Sequence, residues 1–155
     1  MAAGATHVFG GFQASNLASL WGSDVIKMAI VTNASVPSIN DTDPRYGAGG
    51  STNFATSEIA TAGAYSAGGI TLTTPTTVQA SNVVSLKAVS PISLAANAAN
   101  PNTGYWGIFY DSTDANKRCI GFMDLGGPLT LTAGMQININ GVSSGAQAIF
   151  TATAA

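Results

Sequence analysis

Charge is scarce in this 155-residue chain: five Lys and Arg and seven Asp and Glu make up 8% of it, against about 25% in an ordinary soluble protein. The five cations, Lys27, Arg45, Lys87, Lys117 and Arg118, are scattered along the sequence. No basic stripe exists to displace phosphate counterions, which excludes nucleic acid as a partner. The same scatter excludes a polybasic segment that would hold the chain to a membrane surface. A single cysteine, Cys119, excludes an intramolecular disulfide framework and a four-cysteine zinc site. Long apolar runs are missing too. The uncharged stretches from Ile59 to Leu86 and from Leu125 to Ala155 are broken by Gly, Pro, Ser, Thr and Asn, and neither supplies the ~20 mostly apolar residues that span a bilayer. The first residues, Met1 to His7, lack the basic start and apolar run of a signal peptide, so synthesis in a cytoplasm is expected.

The chain is instead rich in small neutral residues: 26 alanines, 18 glycines and many Ser, Thr and Asn. With so few charges, these must cover the exposed faces. A hydrophobic content of 46% and a net charge of −2 are the opposite of the disordered signature, and the length fits one domain.

Period-two patterning dominates. In Asp24 to Thr32, Ile26, Met28 and Ile30 fall on one face and Val25, Lys27, Ala29 and Val31 on the other, which predicts a largely buried strand. Further strands are predicted at 69–73, 82–88, 105–110, 119–125, 129–132, 135–140 and 148–153. Many short strands separated by turn signals indicate a β-sandwich or barrel. The charged stretch Asp111 to Arg118 should be a solvated loop joining the Trp106 and Ile120 strands. Ala133-Gly134 should turn a hairpin between the Leu129/Leu131 and Met135/Ile137/Ile139 patterns, making the C-terminal half a meander. Helix is confined to 15–21, with Leu17, Leu20 and Trp21 behind a Ser15 cap, and to one turn within 56–61. The aperiodic segment from Asn33 to Asn53 reads as a long loop. The first dozen residues, with Val8, Phe9 and Phe12 among glycines, read as an apolar arm rather than a strand. The predicted fold is all-β, an antiparallel β-sandwich or jelly-roll-like domain with little helix. An arm and short helix occupy 1–20, and one β-domain with a long loop at about 33–53 occupies 21–155.

Signals for catalysis are weak. Nucleophilic chemistry needs a base beside the nucleophile, and the only histidine, His7, lies near a chain end. Cys119 sits in a strand pattern, where a buried inert thiol is the usual outcome. Adjacent Arg118 would point to the opposite side of that strand. The pairs Asp41/Asp43 and Asp111/Asp114 could serve glycoside hydrolysis or calcium binding, but each lies beside basic residues and reads as solvated turn charge, without EF-hand spacing. The glycine-rich stretches at 46–51 and 65–70 lack the Gly-Lys-Ser/Thr ending of a phosphate loop. Trp21, Tyr105, Trp106, Tyr110 and Phe122 could present an aromatic sugar-binding face, although in alternating strands core positions are the simpler reading. No cofactor or metal is expected.

The order of motifs is more informative. Trp21-Gly-Ser-Asp-Val-Ile-Lys-Met-Ala-Ile-Val-Thr32 is followed by a variable loop, then by Ala64-Tyr-Ser-Ala-Gly-Gly-Ile-Thr-Leu72. Trp106-Gly-Ile-Phe-Tyr-Asp-Ser-Thr113 comes next, then Cys119-Ile-Gly-Phe-Met-Asp-Leu-Gly126 and a terminal Ile-Phe-Thr strand. This order resembles small bacteriophage virion proteins encoded near head genes. The chain departs from them at Ala64, where glycine is usual, and in a longer polar stretch from Pro91 to Thr103. The resemblance implies a non-enzymatic structural protein, most like capsid decoration or cement proteins on the outer surface of the head. It further implies the major capsid protein and copies of itself as partners, three subunits being favoured. Tail or adaptor proteins, receptor- or carbohydrate-binding tail-tip modules and a glycosidase are the alternatives. Val8, Phe9 and Phe12 are the expected interface residues.

Overall fold

The computed structural model describes residues 6–8, 17–80, 83–138 and 144–153. They form an all-β, sandwich-like fold with one short helix. The main sheet runs β1-β10-β9-β2-β5, built from β1 (Thr6–Val8), β10 (Cys119–Leu129), β9 (Gly104–Asp111), β2 (Ile26–Val31) and β5 (Ile70–Thr71). All of its pairings are antiparallel. A second sheet, β12-β7-β6, contains β12 (Gly145–Thr153), β7 (Val83–Ser90) and β6 (Thr76–Ala80). Two small ladders complete the fold: β8 (Ile92–Leu94) with β11 (Met135–Ile137), and the parallel pair β3 (Pro44–Arg45) with β4 (Thr52–Asn53).

Register shows why β2 carries apolar residues at nearly every position. Residues paired across antiparallel strands share a face, so Ile26, Met28 and Ile30 lie with Asp111, Phe109 and Gly107, while Lys27, Ala29 and Val31 lie with Tyr110, Ile108 and Trp106. The first face meets the second sheet. Phe109 and Trp21 both stand edge-on to Phe150 of β12, with centroids 5.2 and 5.9 Å away, and the Thr6 hydroxyl donates to the Ile149 carbonyl. Trp21 lies on helix α1 (Leu17–Ser23). It is fully buried and donates its indole N–H to the Lys87 carbonyl at 2.7 Å. Each such large side chain removed from water contributes about 1.5–3 kcal/mol.

The second face is covered by the chain from Tyr46 to Tyr65, which runs from within the long loop to beyond it. Phe54, Ile59 and Tyr65 are buried, and Tyr46 stacks on Tyr110 with centroids 4.2 Å apart. Backbone bonds from Thr32 N to Ser57 O and from Ile59 N to Ile30 O let this segment continue the sheet where two-residue β5 stops.

Several expectations change. Thr6–Val8 is an edge strand paired with β10 rather than a free arm, with His7 opposite Phe122. Phe9 and Phe12 lie outside the described residues. The strand at Met135 does not form a hairpin with 129–132. Leu129 ends β10, and Met135–Ile137 pairs with β8, with Met135 opposite Leu94. Gly134 does adopt the positive φ expected of a turn, 81°. With β11 on β8 and β12 on β7, the C-terminal half is not a meander: alternation reports which face a side chain takes, not which strand lies beside it. The loop from Asp111 to Arg118 does join β9 to β10, and the helix and a 3₁₀ turn at Phe54–Ser57 fall near their predicted places.

Candidate functional site

The residue types that could carry catalysis are not brought together. His7 faces Phe122, stacked at 5.2 Å, and Cys119 lies three positions away along β10, about 10 Å at strand rise. Cys119 is 2% exposed. Burial, reinforced by the charges of Asp41 and Asp43, pushes its thiol well above the ordinary range, the opposite of an activated nucleophile. Asp43 is held bidentately by Arg45, with bonds of 3.1 and 2.8 Å. Asp41 accepts from Ser38 N and the Thr52 hydroxyl. Asp114 pairs with Arg118. Partial burial works against its ionised form, but Arg118 and backbone amides outweigh that and hold its carboxyl below the usual range. Asp111 is not the solvated turn charge expected. It is 2% exposed, because its carboxylate folds inward to cap the amides of Thr113 and Asp114. Among the described residues, no cluster of three or more His, Cys, Asp or Glu is placed to hold a metal. Of the aromatics, Trp21, Tyr110 and Phe122 are core, whereas Tyr105 and Trp106 are half-buried.

Glu58, the only glutamate, is a hub that sequence inspection passes over. Its carboxylate accepts from the Tyr46 hydroxyl, from the Tyr65 hydroxyl at 2.8 Å and from Gly68 N at 2.9 Å. Tyr65 in turn accepts the Ile30 N–H at 2.9 Å, and Tyr110 donates to the Gly68 carbonyl at 2.8 Å. Burial, followed by the Glu58 charge among the lesser causes, raises all three tyrosines far above their ordinary range. Such a knot fixes the loop to the sheet. The only signal for it in the sequence was that Tyr46 and Tyr65 each open a glycine-rich turn, at the two sites weighed above as phosphate cradles.

The surface is divided by charge. Eight charged residues, Asp24, Asp41, Asp43, Arg45, Asp111, Asp114, Lys117 and Arg118, gather at the end where β2 begins, β9 ends and β10 begins. The links that gather them include an Arg45–Asn116 bond of 3.0 Å, a bridge between Arg45 and Arg118, and a Tyr46 N to Lys117 O bond. The opposite end, where β9 begins and β10 ends, is formed by residues 95–103 and 130–134 and holds no charged residue. Asn100, 3% exposed, staples it. Its amide nitrogen donates to the Ala95 and Leu131 carbonyls at 2.9 and 2.8 Å, and its oxygen accepts from Ala64 N at 2.7 Å. Ala95, Ala96, Asn97, Ala98 and Ala99 are exposed around it. An ordered, neutral end loses little freedom and strips no ions when covered, so it is the better suited of the two ends to contact another protein. No family model, curated protein or solved structure matches the chain.

Proposed function

We propose that this protein is a non-enzymatic structural component of a bacteriophage virion, of the capsid decoration kind, which binds the outer surface of the head and stabilises it. The partition of surface charge carries this reading. One end concentrates most of the charge, and the opposite end, residues 95–103 and 130–134, is a neutral surface rich in Ala, Asn and Thr that can be covered by neighbours without stranding ions. The order of motifs supports the same reading, with the major capsid protein and further copies of the chain, three being favoured, as partners. Val8, Phe9 and Phe12 are the proposed docking residues.

Sedimenting purified protein with heads that lack it, and separately with tails, tests the reading. Saturable co-sedimentation with heads is expected. Retention on tails alone would overturn the decoration role in favour of a tail or adaptor protein, and failure to bind either would overturn the virion role. Because β1 is part of the sheet, the docking residues are better probed by Phe9→Ser and Phe12→Ser than by truncation. The double variant should stay folded and lose head binding.

A further inference from the structure

Two of the most exposed large apolar side chains among the described residues, Val36 at 57% and Ile39 at 53%, lie three positions apart in one short segment. That segment is a closed turn. Pro37 between them is buried, the Ser38 carbonyl accepts Asp41 N at 3.1 Å, and the Ser38 hydroxyl accepts Asn40 N at 3.2 Å. The Asp41 carboxylate folds back to accept Ser38 N and the Thr52 hydroxyl. A turn fixed in this way loses little conformational freedom on docking, and it presents two apolar side chains that its own chain leaves largely uncovered.

The same chain carries a receptor of matching chemistry. An open cleft of about 470 Å³ is lined by residues 93–96 and 133–136, where Leu94 of β8 pairs with Met135 of β11. Both of these side chains are buried, which gives the cleft an apolar base. None of its eight lining residues is charged. Ser93 and Gln136 are exposed and offer hydrogen-bonding groups to the backbone of a visiting turn. One wall is held by Asn100, whose amide nitrogen binds the Ala95 carbonyl at 2.9 Å, so the cleft is as firmly set as the turn.

We propose that the Val36–Ile39 turn of one copy seats in the 93–96/133–136 cleft of the next. The occupant is a second copy because each chain supplies one turn and one cleft, and the exposure of Val36 and Ile39 shows that the turn does not fill the cleft of its own chain. Charge fits as well: the cleft holds no ion that would be stranded on covering, and Asp41, the one ionised group of the turn, already has Ser38 N and the Thr52 hydroxyl as partners. A contact between two different patches is heterologous, and it makes a ring when its rotation closes. Three copies, the number favoured above, form such a ring. This contact rests on the reading above only in taking copies of the chain as partners, and it forms without the head.

The test is sedimentation velocity of the purified full chain, without heads, from nanomolar to high micromolar concentration. The wild-type protein should form closed trimers. Ile39→Asp on the turn and Ala133→Trp in the cleft, both at exposed positions, should keep the wild-type circular dichroism and each weaken association by about tenfold or more, as losing the burial of half a large apolar side chain implies. Should either misfold, Val36→Asp and Ala96→Trp probe the same two surfaces. Neither variant alone can build a ring, but the Ile39→Asp protein keeps an intact cleft and the Ala133→Trp protein an intact turn. Mixed, they should give one-to-one dimers that grow no further. A wild-type chain that stays monomeric, folded variants that assemble as the wild type does, or a mixture that stays monomeric would each overturn the contact. Head binding is measured separately: a monomer that still saturates heads overturns this contact and leaves decoration standing, whereas a trimer that ignores heads does the reverse.

Discussion

Replacing Tyr65 with Phe removes one oxygen and leaves the ring, which is 1% exposed, free to keep its packing. That oxygen has two partners. It is the acceptor for Ile30 N, a buried backbone donor at 2.9 Å, and it donates to Glu58 at 2.8 Å. Losing the first strands a buried N–H between the stretch of β2 paired with β5 and the stretch paired with 57–59, at about 1–3 kcal/mol. Losing the second removes one of three donors to a carboxylate that keeps Tyr46 and Gly68 N, at about 1 kcal/mol. The expected cost is therefore roughly 2–4 kcal/mol, or a fall in Tm of about 4–16 °C at ~2–4 °C per kcal/mol for a domain of this size. Tyr46→Phe and Tyr110→Phe each remove a single outward bond and strand no donor of β2, so each should cost about 0.5–1.5 kcal/mol. Calorimetric melting of the three variants, with hydrogen exchange at Ile30, is the assay. A Tyr65→Phe melt no lower than those of the other two, or unchanged protection at Ile30, would refute the reasoning that this hydroxyl closes a gap in the sheet.

Gly69→Ala should cost about 3 kcal/mol or more, read as a lowered Tm, because Gly69 has φ +77° and an added Cβ would lie 2.2 Å from the Met28 carbonyl oxygen. Asn100→Ala should lower stability by about 2–3 kcal/mol in the same assay. Ala64 N and the Ala95 carbonyl lose their amide partner, whereas the Leu131 carbonyl keeps Gly134 N. Cys119 should stay unreactive to thiol reagents in the native protein and become reactive only on unfolding. The double variant His7→Ala with Cys119→Ala should bind heads as the wild-type protein does. With so few ion pairs to screen, head binding should change little between low and high salt, and a steep salt dependence measured by sedimentation would count against a neutral contact surface.

Local pattern carried much of the fold. Apolar residues at all but one position of β2, Lys27 being the exception, announced a strand buried on both sides, and four charges between two apolar runs announced the loop from Asp111 to Arg118. What alternation could not supply was partnership across long separations. Met135 pairs with Leu94, and nothing in either stretch encodes the other. The segment from Asn33 to Asn53 read as a loop for want of a period, and Tyr46 within it and Phe54, Ile59 and Tyr65 after it share none. They cover a sheet face individually, from turns, rather than as one side of a regular element. Asp111 was misread for the same reason. Its neighbours Lys117 and Arg118 do face solvent, and only its position as the last residue of β9, opposite Ile26, turns it inward. The candidate interaction surface was least legible, since a neutral end becomes visible only once the topology has gathered the charges at the other.

The central claim, that the chain coats a phage head, is tested most directly by quantitative mass spectrometry of purified virions, measuring this protein against the major capsid protein. Decoration predicts copies in a fixed ratio approaching that of the shell subunits, and their loss when heads are stripped without loss of tails. A count limited to a few copies per particle, or copies that follow the tail fraction, would contradict it.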